Sequence, residues 1–195
     1  MKENKEIFLK WIKKLFELEC MALFAIVIGF FPALEPFARW IRIFLSVGSI
    51  FCLYQLIPMN ERYQKAVLFS GIATIFTLIT NFGILVVLSI PLMVCTMIGE
   101  YQQFFGHAEI LLTIDNKLSK KWHTLFMWNV FGPMIIFFVT PLLIVIPVVM
   151  ELFDENVISM LTTMIANGFV VILQLVYVIY LKRMHEVCEK YEHWE

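Results

Sequence analysis

The chain has 195 residues, of which 61% are hydrophobic and only 16% charged, with a mean hydropathy of +0.82 and a formal net charge of −1. A soluble domain carries about 45–50% apolar and about 25% charged residues, so this composition excludes an ordinary soluble fold. No basic stripe with interleaved aromatics is present, which argues against nucleic-acid binding.

The first seventeen residues are basic and amphipathic. Ile7, Phe8, Trp11, Ile12, Leu15 and Phe16 recur at helical spacing, while Lys10, Lys13, Lys14 and Glu17 take another side. Residues 1–17 are therefore expected to form an interfacial helix on anionic lipid. The apolar run that follows ends in FFPALEP without a small-residue cleavage site, so it is expected to stay as a membrane helix. Asp, Glu, Lys and Arg are missing from 66–99, 122–150 and 156–181, and each run exceeds the roughly 20 residues that cross a bilayer.

Six transmembrane spans are read, at about 18–34, 40–58, 64–80, 83–104, 122–150 and 157–182. The run 66–99 would measure about 50 Å as one helix against a hydrocarbon core of about 30 Å. Asn81-Phe82-Gly83 supplies a turn near its middle, so two spans joined by a hairpin fit better. With the N-terminus inside, every Lys and Arg except Arg39 and Arg42 falls on the cytoplasmic side, a strong positive-inside bias. Both termini are then cytoplasmic, and 105–121 is a cytoplasmic loop. Trp11 and Trp122 are expected at the inner interface and Trp40 at the outer one.

Residues 99–115, GEYQQFFGHAEILLTID, interrupt the oil. Phe104, Phe105, Ala108, Leu111 and Leu112 make an apolar stripe at helical spacing, and Glu100, Gln103 and His107 follow another row. With Glu109 and Asp115 that row is expected to form a solvated cytoplasmic face, open to a partner protein or to regulation. His107 would then titrate near 6.5. Asp115-Asn116 is a turn signal, and Ser119 could cap the next helix. His123 is a further residue of ligating type, but no HExxH or paired ExxH spacing occurs, so neither a metal site nor a cofactor is expected. Cys20, Cys52, Cys95 and Cys188 stand far apart and read as buried apolar groups.

Polar residues inside the spans carry more. Ser70, Thr74, Thr77 and Asn81 fall within an arc of about 60° on span three, and Ser159, Thr163, Asn167 and Gln174 within about 80° on span six. Such stripes avoid lipid, so both should point into the bundle, either as interhelical hydrogen bonds or as the wall of a polar pocket. Pro91, Pro133, Pro141 and Pro147 are potential kinks, and broken helices build binding sites in transporters. No charged side chain is expected at mid-membrane.

The sequence thus describes an all-α, polytopic integral membrane helical bundle, one domain of residues 1–195, in the plasma or inner membrane. Its expected role is small-solute binding or transport, with a small-molecule ligand between spans three, five and six. The alternative is a non-catalytic accessory protein docking a cytoplasmic or membrane partner. A membrane enzyme comes third, because no catalytic constellation is found.

Overall fold

The computed structural model describes residues 2–81, 88–145 and 155–192. Among them the chain is all-α, with six helices and no strand: α1 (Lys2–Ile28), α2 (Glu35–Leu56), α3 (Arg62–Asn81), α4 (Ser89–Leu111), α5 (Asn116–Val145) and α6 (Glu155–Lys190). Among the described residues three segments, Glu35–Met59, Arg62–Thr80 and Thr162–Lys190, are long and apolar enough to cross a membrane. Each helix packs on the next in sequence, and α6 returns to α1, so the helices form a closed ring. Neighbours are antiparallel. Tyr63 of α3 meets His107 of α4 while Ser70 meets Gly99; Lys5 of α1 reaches Glu189 of α6 while Glu19 meets Gln174.

Local chemistry explains the helix ends. Pro36 sits in the first turn of α2, where a missing N–H costs nothing, and Glu35 faces the positive end of the helix dipole. Pro58 lies in a 3-10 turn (Ile57–Met59) that closes α2. Asn60 Oδ1 then accepts the backbone N–H of Arg62 at 2.8 Å and opens α3. The cap of α5 is Asp115 rather than the expected Ser119. Asp115 Oδ1 accepts the N–H of Leu118 at 3.0 Å, whereas the buried Ser119 hydroxyl donates to the Ala108 carbonyl of α4 at 2.7 Å.

Several expectations change. Residues 1–17 are not a separate interfacial helix. They are the first half of α1, and Phe8, Ile12 and Leu15 are fully buried in the bundle. The segment 105–121 is mostly helix, since α4 continues to Leu111 and α5 starts at Asn116. Pro91 is no kink: it lies at the third residue of α4, where N–H groups have no intrahelical partner anyway. Helix α5 continues through Pro133 and Pro141, and Pro147 lies outside the described residues. Asn81 ends α3, and the rest of the expected Asn81-Phe82-Gly83 turn also lies outside them.

The core occupies one end of the ring. Phe8, Ile12 and Leu15 of α1, Leu53 and Leu56 of α2, Tyr63 of α3, Leu111 of α4, Leu118 and Trp122 of α5, and Leu181 and Met184 of α6 are all essentially inaccessible. Trp122 is therefore a core residue and not an interfacial one, with Phe104, Tyr177 and Tyr180 set edge-on around it at 5.5–5.7 Å between ring centroids. Away from this end the outer surface is apolar, with Phe24 67%, Phe44 71% and Ile90 68% exposed.

Candidate functional site: a six-helix polar layer and its cavity

The inward stripe of each helix changes from apolar to polar at one level. On α1 the stripe runs Phe8, Ile12, Leu15, Glu19; on α2, Leu56, Leu53, Ser49. On α3 it runs Tyr63, Ala66, Ser70, and on α4 Leu111, His107, Phe104, Glu100. On α5 it runs Leu118, Trp122, Leu125, Asn129, and on α6 Met184, Leu181, Tyr177, Gln174. All these steps are three or four residues, the spacing that keeps one face of a helix turned inward.

The polar members meet across the ring. Ser49 Oγ donates to Glu19 Oε1 at 2.9 Å, and Gln174 Nε2 donates to Glu19 Oε2 at 2.8 Å. Asn129 Nδ2 donates to Glu100 Oε2 at 2.5 Å. Ser70 lies against Gly99, close enough that a Cβ there would stand 2.7 Å from the serine oxygen. One turn toward the core, Gln103 Nε2 donates to the Tyr177 hydroxyl. Each of the six helices therefore places one polar side chain at the same height.

This layer lines a cavity of about 440 Å³. Phe104, Leu53, Leu125 and Tyr177 form its floor on the core side, and Thr74, Thr77 and Thr96 continue its wall away from the core. Arg42 lies at the far end. It is 3.8 Å from Glu35, which also holds Arg39, and it lines a second space of about 450 Å³ with Asn167, Gly29 and Phe30. The two spaces share Ile26, Arg42 and Val170.

Of the residues singled out in the sequence, Ser70, Thr74, Thr77 and Gln174 line the cavity together. Asn167 is exposed at the outer space, and Thr163 is exposed farther along α6. The side chains of Asn81 and Ser159 lie outside the described set. Glu100 and Gln103 are not on a wet outer face; they are cavity groups. Glu109 and Asp115 do lie outside, Glu109 paired with Arg62 at 2.5 Å and bonded by Asn60 at 3.0 Å.

His107 departs furthest from expectation. It is fully buried, its Nδ1 is 2.7 Å from the Tyr63 hydroxyl, and its ring centroid lies 4.7 Å from that of Trp122. Burial pushes its pKa down from the ordinary value to about 3, so the imidazole is neutral. It belongs to the core and offers no surface for a partner.

Sequence reasoning missed Glu19, Ser49 and Asn129, along with the inward direction of Glu100. The signal was phase. Glu19 continues the stripe of Phe8, Ile12 and Leu15, and Glu100 continues the stripe of His107 and Phe104. Two carboxyl groups, those of Glu19 and Glu100, thus face the cavity from inside the bundle. Among the described residues, no group of three or more His, Cys, Asp or Glu could hold a metal ion. Compared with protein-family models, characterised proteins and solved structures, the chain finds no match. The reading of the site therefore rests on its own geometry.

Proposed function

We propose that this chain is a six-span membrane protein, both termini cytoplasmic, which binds a small solute in the central cavity and serves as a binding or transport component. The observation that carries the reading is the cavity of about 440 Å³ walled by all six helices and floored by a packed core. Its volume falls within the range of small-molecule sites, and it sits between the helices of a bundle, where such sites recur. The exposed apolar exterior suits lipid, and polar side chains turned inward are what a bilayer demands.

Orientation follows from charge. The core end carries Lys5, Lys117, Lys120 and Lys121, and the cavity runs from there toward Arg42. By the positive-inside rule the core end is cytoplasmic and the cavity faces the exterior. Binding and passage of a solute need no nucleophile or general base, which suits a site built of amides, hydroxyls and two carboxyls.

Thiol labelling in a cysteine-free background tests this. Leu34→Cys should react with a membrane-impermeant reagent added outside intact cells, and Lys120→Cys should react only after permeabilisation. Ser49→Cys, inside the cavity, should react slowly from outside. Labelling of Lys120→Cys from outside overturns the topology, and an inert Ser49→Cys overturns the open cavity.

A further inference from the structure

The donors and acceptors of the cavity wall are unequally used. The Ser46 hydroxyl donates to the Arg42 carbonyl, Thr74 to Ser70, Thr77 to Ala73 and Thr96 to Leu92, each at 2.9 Å and each within its own helix. The Ser49 proton goes to Glu19. A hydroxyl has one proton and two lone pairs, so these five side chains have committed their donor and retain acceptor capacity. Asn129 and Gln174 likewise each spend an N–H on a carboxylate of the layer. Among the described residues, Glu100 Oε1 has no hydrogen-bond partner although its residue lines the space.

Charge is unequal in the same sense. Glu19 and Glu100 are bonded by Ser49, Gln174 and Asn129, all neutral groups, and among the described residues neither carboxyl group has a Lys, Arg or His partner. Arg42, the one cation among the described lining residues, stands at the far end beside Glu35. A carboxyl group taken out of water either keeps a proton or finds a counter-charge, and among the described residues only neutral donors reach these two, so a bound cation would supply the missing charge. The floor adds two aromatic rings, Phe104 and Tyr177, 5.3 Å apart between centroids, whose faces attract cations.

We propose, resting on the solute-pocket reading, that the cavity takes a small organic cation, an amine or ammonium compound, with Glu19 and Glu100 as its counter-ions and the hydroxyl oxygens and aromatic floor as its remaining contacts. An ammonium group has three donors and no acceptor, which complements a wall rich in free acceptors. A bare divalent metal suits the site less. Calcium takes six to eight oxygen ligands, and among the described residues no group of three or more His, Cys, Asp or Glu is gathered to anchor such a shell.

The test uses three probes of one shape: phenethylamine, 2-phenylethanol and phenylacetate, which are cationic, neutral and anionic at pH 7. Their affinities for the purified full-length protein in lipid nanodiscs are measured by calorimetry and by thermal shift. The amine should bind at least about tenfold more tightly than the other two, a factor worth about 1.4 kcal/mol. Glu19→Gln and Glu100→Gln keep the shape of the wall, and each should weaken the amine by about tenfold or more while leaving the alcohol unchanged. If the alcohol or phenylacetate matches the amine, or if the amine keeps its affinity in both variants, the cation is overturned and the solute pocket stands. If no probe binds while Ser49→Cys is reactive from outside, the cation alone is again overturned. If no probe binds and Ser49→Cys is also inert, both readings fall. The three-way comparison on the unmodified protein holds even where a variant fails to fold.

Discussion

The two halves of the ring are built from the same six helices on the same inward stripes, yet one half is a packed core and the other encloses a cavity. Where the stripes carry Phe8, Leu56, Tyr63, Leu111, Trp122 and Met184, the interior is filled. Where they carry Ser49, Ser70, Thr74 and Thr77, small polar side chains leave space. Helix geometry alone does not decide between a core and a pocket. The volume and chemistry of one residue per turn do.

The largest expected effect lies at the packed end. Trp122→Ala removes the ring around which Phe104, His107, Tyr177 and Tyr180 are set, and should destabilise the protein by about 3–5 kcal/mol. Thr74→Ala on the cavity wall should change stability by less than about 0.5 kcal/mol, because its hydroxyl bonds only its own helix. Unfolding of both variants under matched conditions measures the contrast. Equal losses would mean that the cavity is filled and cohesive, which breaks the distinction between the halves.

Acid should weaken the packed end next. The folded-state pKa of His107 is depressed to about 3 by burial, against about 6.5 when unfolded. Between those values the unfolded chain binds a proton that the folded chain refuses, so stability falls as pH drops below about 6.5. The slope is about 1.4 kcal/mol per pH unit, or about 2–3 kcal/mol between pH 6.5 and 4.5. Denaturation midpoints across that window, compared with His107→Phe, measure it. A profile that is the same in the variant would remove His107 from the core's titration.

Two glycines sharpen the comparison at smaller scale. A Cβ on Gly106 would lie 3.2 Å from the Tyr63 ring, which is itself fully buried and has nowhere to move. Gly106→Ala should therefore cost about 1–3 kcal/mol through overpacking between α3 and α4. A Cβ on Gly71 would meet nothing within 4 Å, so Gly71→Ala should be neutral or gain up to about 1 kcal/mol from helix propensity. Thermal shifts of opposite sign are the expected outcome.

How legible this was in the sequence follows the same division. The helix expected over 64–80 was plain, since the charge-free run that opens at Ala66 lies within α3 as far as that helix is described. Ser70, Thr74, Thr77 and Gln174 were also plain, because polar groups at helical spacing in an apolar run have few places to point but inward. Glu19 and Glu100 were hidden by their neighbourhoods. Each stands at the edge of an apolar stretch, near Glu17 or Gln102 and Gln103, where a charge resembles a membrane-surface residue. His107 was hidden in the same way, since polarity suggested water while its phase with Phe104 and Leu111 placed it in the core. Phase was the better guide in all three cases.

The smallest effect tests the outer rim. Asn167 lies on the stripe shared with Gln174, yet it is exposed beside Arg42 and Gly29 and has no hydrogen-bond partner among the described residues. Gln174, one level deeper, holds Glu19 at 2.8 Å. Asn167→Leu should consequently leave thermal stability within about 0.5 kcal/mol of the unmodified protein, whereas Gln174→Leu strips the half-buried Glu19 carboxyl of a donor and should cost about 1 kcal/mol. Interhelical hydrogen bonds in membranes average only about 0.6 kcal/mol, so a loss at Asn167 well above that value could not come from a single bond on an open rim. It would mean that the outer half is held together by its polar side chains, and the cavity would then be a cohesive interior of a second kind.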